Sequence, residues 1–259
     1  MTSLRERWAT GQATFNAWLA VPSPVVAEVV SRAGFDSVCA DLQHGVVDYR
    51  DLPGLVQAIA LGGSTPIARV PWNEPGIIGK VLDAGVQAVI VPMVNSADEA
   101  RAVVRAVRYA PDGARSYGPT LAGLRSPSYY ATANDTVAAV AMIETTDALA
   151  HLDDIVSVPG IDAVYVGPAD LSITLGLAPA NHHDDAVFTD ALDAVVAACR
   201  RHGVVPGIHA TAALAERRLE QGFRLITVSS DLASVRAGAA ADLATARAAA
   251  PPEASTGPY

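Results

Sequence analysis

The sequence predicts an α/β fold in which eight strand–helix units close into a (β/α)₈ barrel, and three observations carry that prediction. Eight short apolar runs recur along the 259 residues. Most are unbroken rather than alternating, the pattern of parallel strands buried on both faces. Helical patterns with their own start and stop signals separate them. No hairpin signal joins consecutive runs, so the connections are crossovers, which bring the C-terminal ends of the strands to one edge. About 250 residues is an ordinary length for such a barrel as a single domain. A doubly wound open sheet is the runner-up, weakened because no G-x-G-x-x-G follows the first run.

The runs lie at 13–19, 37–42, 66–70, 88–93, 138–143, 163–166, 204–208 and 225–228. After the first, Ser23-Pro24 supplies an N-cap and a first-turn proline to VVAEVVSRAG, which stops at Gly34. Similar signals bound helices at 49–61, 75–84, 97–109, 185–202, 212–221 and 232–249, and an acidic start opens a helix-sized segment at 147–156. A glycine ends the helix before several strands, as in AGFDSV, AGVQAV, HGVVPG and QGFRLI. Residues 111–135, rich in Gly, Pro, Ser and Tyr, are too long for an ordinary connection and read as a lid or a contact loop. The Ala-rich helix at 232–249 has little to bury and is expected to pack on another subunit. The barrel domain is thus expected over 1–250, with a disordered tail, PPEASTGPY, over 251–259.

In a barrel of this kind chemistry belongs at the C-terminal ends of the strands. The second run ends in Asp41-Leu-Gln-His44, where a carboxylate three residues ahead could orient the imidazole as a general base; the alternative is a surface-loop histidine. Arg69 ends the third run inside ARVPW, where an unpaired cation is costly and a carboxylate partner is expected, from a substrate rather than from the protein. The fourth ends VPMV without a titratable group. Glu144 and Asp170 close the fifth and sixth, and converge if the strands are parallel. Two oxygen ligands without Cys or His suit Mg²⁺ or Mn²⁺ better than zinc, although both could simply cap the following helices. His209 follows the seventh run in GIHA and could face the pocket. Ser229, Ser230 and Asp231 follow the eighth as a helix cap. A metal, an anion-binding arginine and a base at one edge suit proton removal beside a metal-bound carbonyl, hence enolate chemistry. Asn181-His-His-Asp-Asp185 reads as a solvated cap rather than a metal tract, and His151 and His202 as structural.

Composition excludes other classes. The chain is 51% hydrophobic and 17% charged with net charge −9, and no basic patch stands out for a nucleic acid or a membrane surface. No run approaches transmembrane length, and MTSLRERWATG has no apolar core of a signal peptide. Cys39 and Cys199 sit in apolar runs, as in a reduced cytoplasmic protein. Lys80, in the third helix, is the only lysine, which argues against Schiff-base chemistry at the strand ends.

The segments AGFDSVCADLQHG, ARVPWNEPGIIGKVLDAGVQAVIVPMVNSADEARAVVRAVRYAPDGARSYG and AMIETTDALAHLDDIVSVPGIDAVYVGPADLS together resemble the HpcH/HpaI family, the class II pyruvate aldolases of 4-hydroxy-2-oxo acids. The resemblance spans nearly the whole chain. It implies a TIM barrel, with Mg²⁺, Mn²⁺ or Co²⁺ on Glu144 and Asp170, and His44 paired with Asp41 as the base. It further implies Arg69 on the pyruvate oxyanion, substrate carboxylate at Gly167, Pro168 and Ala169, and Trp18 on the pocket floor. Pyruvate and an aldehyde are the implied small molecules, and a homo-hexamer of dimers exchanging the last helix is the implied assembly. Two departures stand out: Met142 replaces a glutamine near the metal glutamate, and His209 replaces an apolar residue, making that wall more polar. A metal-dependent acyl-CoA lyase of the citrate-lyase β or malyl-CoA type is the alternative, without an evident nucleotide-binding feature. A non-catalytic barrel binding protein would not need the strand-end set.

Overall fold

The structure is a computed structural model and describes residues 2–249. Its strands are β1 (Thr14–Leu19), β2 (Ser37–Asp41), β3 (Thr65–Arg69), β4 (Ala88–Val91), β5 (Ala138–Ile143), β6 (Ala163–Val166), β7 (Val205–His209) and β8 (Leu225–Ser230). All pair in parallel in sequence order, and β8 returns to β1, so the expected (β/α)₈ barrel is the observed fold. The helices are α1 (Leu4–Ala9), α2 (Pro24–Arg32), α3 (Leu52–Gly62), α4 (Pro75–Asp83), α5 (Ala97–Val107), α6 (Thr120–Arg125), α7 (Tyr129–Thr136), α8 (Thr146–Ala150), α9 (Leu152–Val156), α10 (Pro168–Thr174), α11 (Ala186–His202), α12 (Ala215–Gln221) and α13 (Asp231–Ala249). The single helix expected over 147–156 is two short ones meeting at His151. The one expected over 212–221 begins as a 3₁₀ turn.

Side chains alternate with the pleat, and that alternation builds two cores. Leu19, Ala40, Ala68, Val89, Ile143 and Val166 point outward, where they pack in the layer beneath the helices. Trp18, Cys39, Ile67, Ile90, Met142, Tyr165 and Leu225 point inward and fill the barrel. Leu4 and Trp8 of α1 join this inner cluster from below, and the Trp8 indole donates to Thr14 Oγ1 at 2.9 Å. On the N-terminal side of the strands, Asp162 binds Arg5 (2.9 Å) and Arg108 (2.5 Å) and accepts from Ala139 N–H (2.7 Å). These charges lie at the end of the barrel away from the mouth, where they serve stability rather than chemistry.

Residues 111–135 are not structureless. They form α6 and most of α7, tied to the outer face of α4 by Arg115–Asp83 (2.7 Å) and by Arg125 donating to Ala84 O (3.2 Å). None of them lines the strand-end cavity of this chain, so they are no lid over it. The beginning of α13 is fixed: buried Asp231 accepts from Ala20 and Val21 N–H at 2.9 and 3.0 Å. From Leu232 on, every described residue of α13 is exposed, including Leu232, Val235 and Leu243. No helix among the described residues is long and apolar enough to cross a membrane. The tail expectation for 251–259 falls outside the described residues.

Candidate active site

The C-terminal ends of the strands enclose a cavity of about 240 Å³ lined by Trp18, His44, Arg69, Met142, Tyr165, Gly167, Pro168, Ala169, Asp170, Asn181 and His209. Nine of these are residues the sequence singles out; Tyr165 and Asn181 are additions. The inward register explains the grouping, because Trp18, Asp41, Arg69, Met142, Tyr165 and His209 all occupy inward positions at or near the tops of their strands. A larger groove of about 810 Å³ lies outside, between α4 and α5. It holds Lys80, whose ammonium sits 5.0 Å from the Tyr49 ring and far from the mouth chemistry. The smaller cavity is the chemical one, because it combines the Arg69 guanidinium, two imidazoles and the Asp170 carboxylate at the strand ends.

Arg69 has its carboxylate partner within the protein, which corrects the expectation that a substrate supplies it. Its Nε donates to Asp41 Oδ1 at 2.8 Å and its Nη2 to Asp41 Oδ2 at 2.6 Å, a bidentate pair across paired register positions of β2 and β3. Burial pushes the Asp41 carboxyl up, but the Arg69 guanidinium more than offsets this and holds it below the usual carboxylate range. Burial likewise opposes the charge of Arg69, and Asp41 outweighs it. Arg69 also lies over the Trp18 ring, 5.0 Å from its centroid.

This corrects the expected pairing of Asp41 with the His44 ring. Both Asp41 oxygens serve Arg69, and Oδ1 additionally accepts from the backbone N–H groups of Gln43 (3.1 Å) and His44 (3.3 Å). The cation on the adjacent strand wins the carboxylate, and Asp41 shapes the loop backbone that carries His44 rather than its imidazole. His44 itself is exposed at the cavity rim.

Glu144 is 2% exposed and its Oε1 accepts from Met93 N–H at 2.7 Å. Burial pushes its carboxyl up to about 6; the Met93 N–H opposes this, and the charge of Asp170 adds to it. Met93 reaches this position with a φ of 56°, left-handed for a residue with a side chain. The end of β4 therefore contributes a backbone donor, which sequence inspection for titratable groups misses. Asp170 lies exposed in the first turn of α10.

Gly167 sits against this pair. A Cβ there would lie 2.5 Å from Glu144 Oε2 and 3.0 Å from the Met142 methyl, so only glycine lets β6 turn into α10 this close to β5. Glu144 Oε2 makes no hydrogen bond among the described residues. A buried carboxylate with a free oxygen beside a second carboxylate, all oxygen donors, fits a hard divalent cation. No cluster of three or more His, Cys, Asp or Glu ligands occurs among the described residues, so these two would leave the remaining positions to water or substrate.

Opposite them, Trp18 stacks on Tyr165 (centroids 5.7 Å apart, planes at 23°) and meets His209 edge-on at 5.2 Å. Tyr165 Oη lies 3.3 Å from His209 Nδ1 and 2.5 Å from Thr227 Oγ1. Burial, with the nearby Arg69 charge, lowers the His209 imidazole to about 4, so it is neutral at pH 7. Asn181 belongs to the tract expected to be a cap; Asp185 does cap α11 (Oδ1 to Val187 N–H, 3.0 Å), while Asn181 reaches the cavity.

Residues 15–237 match the family model described as HpcH/HpaI aldolase/citrate lyase. The chain is 39% identical over 253 residues to a hydroxypyruvate/pyruvate aldolase of Rhizorhabdus wittichii, covering 96% of this chain and 100% of that one. It is 38% identical over 234 residues to a 4-hydroxy-2-oxo-heptane-1,7-dioate aldolase of Shigella boydii, covering 88% of each. Among solved structures, an HpcH/HpaI aldolase/citrate lyase family protein of Burkholderia cenocepacia superimposes with a TM-score of 0.88 at 33% identity, covering 95% of this chain and 100% of that one.

Proposed function

The chain belongs to the HpcH/HpaI aldolase/citrate lyase family, and from that membership we propose that it is a class II aldolase cleaving a 4-hydroxy-2-oxo acid to pyruvate and an aldehyde. The observation that carries this reading is that Arg69, held by Asp41, and Asp170 line one cavity, with Glu144 buried against its Gly167 wall. A divalent cation, Mg²⁺, Mn²⁺ or Co²⁺, held by Glu144 and Asp170 supplies Lewis-acid polarisation of the 2-oxo group.

The residues of the chain do the rest. The turn at Gly167, Pro168 and Ala169 takes the substrate carboxylate, and Trp18 forms the floor beneath the pyruvyl part, with Met142 on the wall beside Glu144. His44 accepts the proton of the 4-hydroxyl as the C3–C4 bond breaks. The aldehyde carbonyl forms from the freed oxygen, and the bonding electrons pass to C3 and the 2-oxo oxygen as an enolate. Arg69, kept in one orientation by Asp41, donates to the oxygen where that charge develops, which is the preorganised electrostatic stabilisation such reactions require. Protonation at C3 completes pyruvate. A Schiff base has no place here, since the one lysine stands on α4 outside the barrel.

The reading extends to a cytoplasmic, hexameric assembly of one barrel domain per chain, in which α13 packs on a neighbouring copy. Its support is the long exposed α13 with Leu232, Val235 and Leu243 unburied. The test of the reaction is exchange of the pyruvate methyl protons in D₂O, followed by NMR with Mg²⁺ or Mn²⁺ and again with EDTA. Exchange that requires the metal and is lost in Glu144→Gln is expected. No exchange with any of several divalent metals overturns the reading.

A further inference from the structure

The interior of the barrel carries one line of polar side chains through an otherwise apolar core. Ser37, Asn16, Thr227 and Tyr165 are all essentially sealed from solvent. Ser37 Oγ–H donates to Asn16 Oδ1 at 2.9 Å, and Asn16 Nδ2–H donates to Thr227 Oγ1 at 2.8 Å. Asn16 faces both partners across the register of β1 with β2 and with β8. Thr227 Oγ1 then meets Tyr165 Oη at 2.5 Å, and Tyr165 Oη meets His209 Nδ1 at 3.3 Å. Each buried hydroxyl has one proton. Thr227 Oγ1 accepts from Asn16, and Tyr165 Oη bridges Thr227 to His209 Nδ1, so Nδ1 is engaged on the buried side whichever way the protons run. The imidazole is thereby held through Nδ1, and Nε2 is the nitrogen left for a substrate. That nitrogen has no partner among the described residues and is not one of the sealed, unsatisfied atoms, while the ring lines the cavity beside Trp18.

Resting on the aldolase reading, we propose that the Asn16–Thr227–Tyr165 line holds the His209 ring by Nδ1 so that its Nε2 hydrogen-bonds, and thereby selects, substrates bearing a hydroxyl on the carbon next to a carbonyl. A packed apolar wall would serve simple alkyl partners, and a polar chain four side chains deep has no packing advantage over it. A site built to hydrogen-bond a hydroxyl discriminates against the analogue that lacks it, because the ring nitrogen is then left unpaired. The shared chemistry is an α-hydroxycarbonyl, which could enter either as the aldehyde or as the 2-oxo acid. His209 is the contacting residue; Tyr165 and Thr227 are positioning residues.

The test compares isosteric pairs on the metal-loaded full chain. In the aldehyde arm, glycolaldehyde and propanal are the acceptors for pyruvate. In the oxo-acid arm, C3 proton exchange is followed for hydroxypyruvate and 2-oxobutyrate. The expected result is a kcat/KM ratio of at least about tenfold in favour of the hydroxylated member in one arm, which then identifies its source. His209→Leu should collapse that ratio toward one, and His209→Gln, which keeps an N–H donor, should restore part of it. Tyr165→Phe removes only the phenolic hydroxyl and should lower the ratio several-fold, a change that a merely structural role would not produce. Pyruvate proton exchange is the reference for each variant. Wild-type exchange without hydroxyl preference in either arm, or a ratio unchanged in both His209→Leu and Tyr165→Phe, overturns this inference alone. Absence of wild-type exchange overturns the aldolase reading beneath it.

Discussion

Asp41 and Arg69 form a bidentate pair at the mouth of the barrel, with Oδ1 2.8 Å from Nε and Oδ2 2.6 Å from Nη2. The carboxylate thus aims the guanidinium rather than the imidazole three residues away. Asp41→Asn keeps the size of the side chain but can no longer accept from both nitrogens. A fall in kcat of about 10²–10³-fold is expected in steady-state retro-aldol assays, the magnitude of losing one preorganised donor. Arg69→Lys should do no better, because an ammonium cannot make the two-pronged contact. An Asp41→Asn enzyme with wild-type kcat would remove Arg69 orientation from the mechanism.

Gly167 tests the packing of the carboxylate pair. A methyl group there would meet Glu144 Oε2 at 2.5 Å, while the residue itself has an ordinary φ of −92°. Gly167→Ala should fold normally by circular dichroism yet lose metal-dependent exchange of pyruvate protons by at least about 10²-fold, as displacement of a catalytic group by about 1 Å does. Retained exchange would mean that Glu144 does not need its present position.

Two buried groups give opposite pH dependences of stability in the metal-free protein. His209 falls from 6.5 to about 4 on folding, so between these values the unfolded chain binds more protons and stability is lost as pH falls, by roughly 3 kcal/mol. Glu144 rises from 4.5 to about 6, so the folded chain binds more protons there and stability is lost as pH rises, by roughly 2 kcal/mol. The slopes cancel in part between about pH 4.5 and 6 in the wild type. Urea unfolding in EDTA should separate them: Glu144→Gln shows a stability that climbs with pH through this window, and His209→Leu one that declines.

Metal binding should act on the same carboxylate. At pH 7, Mn²⁺ at about a hundredfold excess over its Kd should stabilise the wild type by about 2.7 kcal/mol, a Tm rise of several degrees. Glu144→Gln should show no such rise, which differential scanning fluorimetry can read without any substrate. An equal shift in the variant would remove Glu144 from the ligand set.

The far end of the barrel is where substitutions should cost stability rather than rate. Asp162 is shared by Arg5, Arg108 and the Ala139 N–H, and Arg108 is 3% exposed. Asp162→Ala leaves a buried guanidinium uncompensated and should destabilise by about 3–5 kcal/mol in chemical denaturation, with KM unchanged.

Much of the architecture was open to reading because strand burial writes itself as unbroken Val, Ile and Ala runs. Strand bounds from 37–42 or 66–70 lie within two residues of those observed for β2 and β3. The outer helices were bracketed by Ser23-Pro24, Gly34 and similar signals. Within the site, the charged residues at strand ends were legible because position on a barrel strand determines which side they face. The partners were not. Whether Asp41 turns to His44 or to Arg69 depends on the register of β2 with β3, a long-range quantity. The Met93 N–H is a backbone group set by a left-handed φ and has no side-chain signature. Asn16, Tyr165 and Thr227 did carry a signal, polar groups at inward positions of apolar strands, but it needed the pleat assigned before it could be used. The helices in 111–135 went unseen because Gly, Pro and Ser around them mimic loop composition.

Leu4 and Trp8 plug the barrel from beneath, and they share one inner cluster with Trp18. The cavity is therefore a well with one opening, and traffic through it has an order. Whichever fragment sits on Trp18 and Arg69 enters first and departs last. With the pyruvyl part over Trp18 as proposed, the aldehyde is expected to leave ahead of pyruvate in the cleavage direction, so that pyruvate competes with the 2-oxo acid for the empty well.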